Sequence, residues 1–124
     1  MNMSLIEQFA WMGEKDFDTR RLYNLLKERP AIYLAWDVRR VHITERQLVL
    51  RVFGTRFRGY ILITMASDST YTVEFYSSHG KLKHQYTRIT DESIVNTLDL
   101  RIEHLPPTIH ELPDSTEIVT EDFD

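Results

Sequence analysis

Between Gln47 and Arg88 apolar and polar residues alternate along the chain, broken at three points by short polar or glycine-bearing runs. Leu48, Leu50 and Val52 alternate with Gln47, Val49 and Arg51, and Phe57, Gly59, Ile61, Ile63 and Met65 alternate with Arg58, Tyr60, Leu62 and Thr64. Tyr71, Val73 and Phe75 then alternate with Thr72, Glu74 and Tyr76, and Leu82, His84 and Tyr86 with Lys81, Lys83 and Gln85. Successive side chains of a strand point to opposite faces, so a period of two marks half-buried strands. The breaks at Gly54-Thr55, Ala66–Thr70 and Ser77–Gly80 carry turn chemistry and are too short for crossovers, which leaves an antiparallel meander. The Thr, Tyr, Phe, Val and Ile content suits strands.

Helical signals flank this stretch. Ser4-Leu5-Ile6-Glu7 fits a capping box, with Leu5, Ile6, Phe9 and Met12 as the apolar stripe of a short helix that Gly13 ends. Asp16 or Asp18 caps a second helix with Leu22, Tyr23, Leu25 and Leu26 on its inner face, Lys27 and Arg29 in its last turn, and Pro30 as its stop. The run Ala31–Thr44 reads as a strand over Val38–Ile43, with a helical turn through Tyr33–Trp36 as the alternative for its start. Thr90-Asp91-Glu92-Ser93 opens a last helix that reaches Glu103 or His104, with Ile94, Leu98 and Ile102 stacked on one side. Pro106-Pro107 ends it. The expected fold is α+β: an antiparallel β-meander of four to five strands with N-terminal helices and a C-terminal helix packed on one face. Residues 1–105 form one domain in this reading, and residues 106–124 an acidic, flexible tail into which Ile109, Leu112, Ile118 and Val119 bring enough apolar character for an extended strand.

The order Trp36, Val52-Phe53-Gly54, Phe57-Arg58-Gly59-Tyr60-Ile61-Leu62-Ile63-Thr64, Tyr71-Thr72-Val73, Gly80, Ile94-Val95 and Leu98-Asp99 resembles small uncharacterised α+β proteins carried on bacterial plasmids and other mobile elements. The resemblance covers residues 36–104, rests on core and turn positions, and implies a fold and a bacterial or phage origin without an activity.

Charge changes the picture more than composition does. The formal net charge is −4 over 124 residues. Residues 20–60 carry ten Lys/Arg against three acids, however, whereas residues 61–124 carry four against twelve. The last fourteen residues hold six acids, Glu111, Asp114, Glu117, Glu121, Asp122 and Asp124, and no base. Such a segment either stays solvated, folds back over the basic face, or mimics phosphates toward a basic partner. The absence of cysteine excludes disulfides, thiolate catalysis and zinc–thiolate sites. The N-terminus lacks the pattern of a secretory leader and no run approaches a membrane span, which points to a cytoplasmic protein without membrane contact.

The sharpest candidate chemistry is the set Arg39, Arg40, Arg46, Arg51, Arg56 and Arg58, interleaved with Phe53, Phe57 and Tyr60. Alternation predicts Arg51, Arg58 and Tyr60 on the face opposite Leu48, Leu50, Ile61 and Ile63. Guanidinium groups beside rings suit protein hot spots and also phosphates with unstacked bases. Equally, the outer face of any half-exposed sheet is polar, and arginines there pair with acids such as Glu74 or Asp37. The aromatic excess puts some of Trp11, Tyr33, Trp36, Tyr60, Tyr76 and Tyr86 on the surface.

The five histidines fit no ligand spacing: His104 and His110 flank the proline pair, and His42 and His84 meet only if their strands are neighbours. No phosphate loop, nucleophile elbow or zinc-helix motif is present, and Glu74 and Asp99 stand as single carboxylates. The sequence therefore predicts a protein without catalysis, metal or cofactor. It is expected to bind another protein, or a second copy of itself, through Arg39, Arg40, Arg51, Arg58, Tyr60 and Tyr76 or through an edge strand, in the manner of an accessory, inhibitor or immunity protein. The alternative is a nucleic-acid-binding module on the same Arg/Tyr face, which the overall acidity disfavours.

Overall fold

The computed structural model describes residues 8, 9 and 12–106. The helix start expected at Ser4, Trp11, and the acidic segment with His110 lie outside the described residues. Gln8 and Phe9 are helical. Helix α1 spans Thr19–Leu26, and its N-cap is Asp18, whose carboxylate accepts from the Arg21 N–H at 3.0 Å. Its apolar spacing buries Leu22 and Leu26. Helix α2 spans Pro30–Ala35 and buries Ile32. Pro30 was expected only as a stop. It instead opens α2, because a first-turn position needs no N–H donor and proline already holds a helical φ. Asp37, at φ 52°, leaves the helix in the left-handed region and turns the chain into the sheet.

Strands β1 Val38–Ile43, β2 Leu48–Phe53, β3 Arg58–Met65, β4 Tyr71–Tyr76 and β5 Leu82–Ile89 pair in sequence order, every neighbour antiparallel. The meander is thus five-stranded, with β1 and β5 as its two edges. Helix α3, Asp91–Ile102, follows. Its box is closed by Thr90 and Ser93, with Asp91 and Glu92 in the first turn and Arg101 in the last, charges that oppose the helix dipole.

The helices lie against the face that presents Leu48, Leu50, Val52, Ile61, Ile63, Val73 and Phe75. Leu22, Leu26, Ile32, Trp36, Ile94, Leu98 and Ile102 complete that core. The approach is closest at Gly54, where an added Cβ would lie 2.5 Å from the Ile102 carbonyl oxygen. Across from α3, Arg21 Nη2 donates to both Asp91 carboxylate oxygens, at 3.2 and 3.1 Å, and the Tyr71 hydroxyl donates to Asp91 at 2.6 Å, joining α1, β4 and α3.

The opposite face departs from expectation. Rather than being polar and open throughout, it carries a second core of Phe9, Val49, Tyr60, Leu62 and Tyr76. The Gln47 amide holds the N-terminal segment in place, donating to the carbonyls of Phe9 and, at 2.9 Å, of Met12.

Candidate docking site on the sheet face

The register of the sheet assembles the site. Arg40 pairs with Arg51, Arg51 with Tyr60 and Tyr60 with Tyr76, so four of the six residues singled out in the sequence form one row across β1–β4. The next row on this face toward the β2–β3 turn pairs Phe53 with Arg58. Arg39 sits beside a register shift between Val38 and Arg40, and this lets its guanidinium reach the Phe53 ring, 4.3 Å from the centroid. Arg51 lies 5.1 Å from the same ring and 5.0 Å from that of Tyr60. All six residues are therefore brought to one face.

They are not equally accessible. Tyr60 and Tyr76, expected as surface anchors, are only 7 % and 8 % exposed, and this corrects the sequence reading. Phe9 covers both, its ring centroid 4.8 Å from that of Tyr76 and 6.2 Å from that of Tyr60. The reason is apolar area: Val49 and Leu62 lie in the adjacent row, and leaving four large side chains in water costs more than ordering Phe9 over them. Arg51 is half-buried. Its Nη1 donates to the Tyr60 hydroxyl at 2.8 Å, and its Nε has no acceptor among the described residues. Burial first, and the neighbouring Glu74 second, push the Tyr76 hydroxyl up to about 12. Glu74, foreseen as a partner for arginine, instead accepts from Tyr76 at 3.2 Å and from Gln85 at 2.8 Å.

Arg39, Arg40 and Arg58 remain exposed. Asp37 engages Arg39 in a two-pronged contact at 2.9 and 3.3 Å. Hydrogen bonding from Arg39 and the charge of Arg58 hold the Asp37 carboxyl below its usual range. Arg40 and Arg58 form no ion pair among the described residues. Arg56, in the β2–β3 turn, faces His104 with Nη1 3.0 Å from Nδ1. Arg46, grouped with these in the sequence, sits at the other end of the sheet and pairs with Asp16 at 2.7 Å. Strand polarity places the starts of β1 and β3 and the end of β2 together, so that one end of the sheet is cationic. The guanidiniums of Arg39 and Arg51 both lie over the Phe53 ring at that end.

No family model, no curated protein and no solved structure matches the chain.

Other groupings carry less chemistry. His42 on β1 and His84 on β5 occupy opposite edges of the sheet, so they do not meet. Burial, then Arg101 and Lys83, lower the affinity of His84 for a proton. The Tyr71 hydroxyl is raised by burial and by Asp91, which keeps it protonated at neutral pH and unsuited to act as a base. Asp99, a lone carboxylate in sequence, is buried and accepts from Trp36 Nε1 at 2.9 Å and from the Leu105 N–H at 2.7 Å. A recess of about 550 Å³ between Asp16–Arg20 and Ile43–Glu45 is wide open to solvent.

Proposed function

We propose that this chain is a non-catalytic binding protein that docks a carboxylate-bearing protein partner at the cationic end of its sheet, through Arg39, Arg40 and Arg58 with Arg51 and Phe53 behind them. It acts as an accessory, inhibitor or immunity-type factor. The observation that carries this reading is the exposure of Arg40 and Arg58, without ion pairs among the described residues, beside a phenylalanine fixed by two guanidiniums. Planar guanidiniums with open donors, such as those of Arg40 and Arg58, bind carboxylates in two-pronged fashion. The edge strand β1, which carries Arg39 and Arg40, offers backbone groups to the same partner.

A nucleic-acid module would use the same charges. It would also need rings open to stacking, and Tyr60 and Tyr76 are committed to Phe9 while Phe53 lies under the two guanidiniums. Affinity capture separates the two, using the wild-type chain and an Arg39→Gln/Arg40→Gln/Arg58→Gln variant with and without nuclease. The reading predicts a nuclease-resistant protein partner held by the wild type and lost with the variant. Recovery of nucleic acid, or a partner held equally by the variant, contradicts it.

A further inference from the structure

Resting on that reading of the arginine end, we infer that its resident occupant is the chain's own acidic C-terminal segment, Glu111 to Asp124, and that a partner docks by displacing it. Three observations converge.

The first is where the described chain leaves the fold. Ile102 O accepts from the Arg56 N–H at 3.0 Å, the Glu103 carboxylate takes the Thr55 N–H at 2.6 Å and its hydroxyl at 3.1 Å, and His104 faces Arg56. With Leu105 fixed on Asp99, the exit point is pinned to the turn Gly54–Phe57. The two residues bounding that turn are Phe53 and Arg58, both members of the site.

The second is reach. Glu111 follows Leu105 by six residues, which span up to about 20 Å when extended, enough to round the end of the sheet from the α3 side to the arginine side.

The third is charge. Arg39, Arg40, Arg51, Arg56 and Arg58 gather at this end with Asp37 as the carboxylate bonded to Arg39 there, and the last fourteen residues of the sequence carry six acids and no base. Exposed ion pairs are individually weak, so attachment depends on the tether. A short covalent link holds the acids at a high effective concentration while leaving each contact easy to exchange. A partner with better-placed carboxylates then displaces the segment, and salt releases it.

The natural absence of cysteine allows a direct test on the full chain. A nitroxide attached to Thr120→Cys broadens amide NMR signals of nearby residues. The inference predicts loss of signal at Arg39, Arg40 and Gly54–Arg58 at about 0.05 M salt, full signal at the Ala66–Thr70 turn, and recovery at about 0.5 M salt as the Debye length shortens. Replacing the six acids with Asn and Gln in the labelled chain abolishes the effect, while amide shifts away from the arginine end stay unchanged. Uniform weak broadening, broadening centred on another surface, or broadening that passes from labelled to unlabelled copies in a mixture overturns it. Any of those results leaves the partner-capture experiment unaffected, so the two ideas fail separately.

Discussion

The indole Nε1 of Trp36 donates to the carboxylate of Asp99 at 2.9 Å inside a core where both side chains are essentially inaccessible. The second oxygen of Asp99 receives the Leu105 N–H, so one acid joins the end of α2 to the end of α3 and fixes the direction in which the chain leaves the fold. Asp99→Ala strands one buried and one half-buried donor. The expected loss is about 2–4 kcal/mol of unfolding free energy, read by urea denaturation, with a smaller loss for Asp99→Asn because the amide keeps one acceptor.

Gly54 meets the same helix end. Because an added methyl would sit against the Ile102 carbonyl, backbone must move to admit it. Gly54→Ala is expected to destabilise by about 1–3 kcal/mol in denaturant, through overpacking rather than loss of backbone freedom.

Phe9 covers Tyr60 and Tyr76 from outside the sheet. Phe9→Ala should cost about 3 kcal/mol and expose both phenols. Enhanced collisional quenching of tyrosine emission, with the helix-side core unchanged, is the expected signature. Undiminished stability would show that the second core contributes little.

The buried phenols set the alkaline limit. The Tyr76 hydroxyl titrates at about 12 when folded against 10.0 ordinarily, and Tyr71 is raised as well. In each case the folded state holds the proton more tightly. The linked stability is whole below pH 10 and declines as pH rises from there toward 12, by up to about 2 kcal/mol for Tyr76. Denaturant midpoints measured across that window should fall in the wild type and fall less in Tyr76→Phe.

Much of this architecture was legible in the chain. The two-residue period and the polar breaks set the strands and their order, and the strand over Val38–Ile43 and the helix opening at Thr90 follow from β-branching and capping chemistry. Alternation identifies which residues share a face but not which face is covered. Arg51, Tyr60 and Tyr76 do share one, yet Phe9 lies over the two tyrosines. The available signal was Val49 and Leu62, two aliphatics in rows expected to face water. Asp99 was opaque for a different reason: a buried acceptor is recognised only by its donors, and Trp36 lies 63 residues away. Pro30 ends one helix and starts another by the same physical property, which makes a lone proline ambiguous between the two.

Docking at the arginine end is most directly tested by hydrogen–deuterium exchange of the full chain, alone and bound to the captured partner. The outer edge of β1 and the Gly54–Phe57 turn are predicted to exchange more slowly in the complex, with no change at the Ala66–Thr70 turn. Slowing confined to β5, to the segment around Phe9 or to that far turn would contradict the assignment of the docking surface.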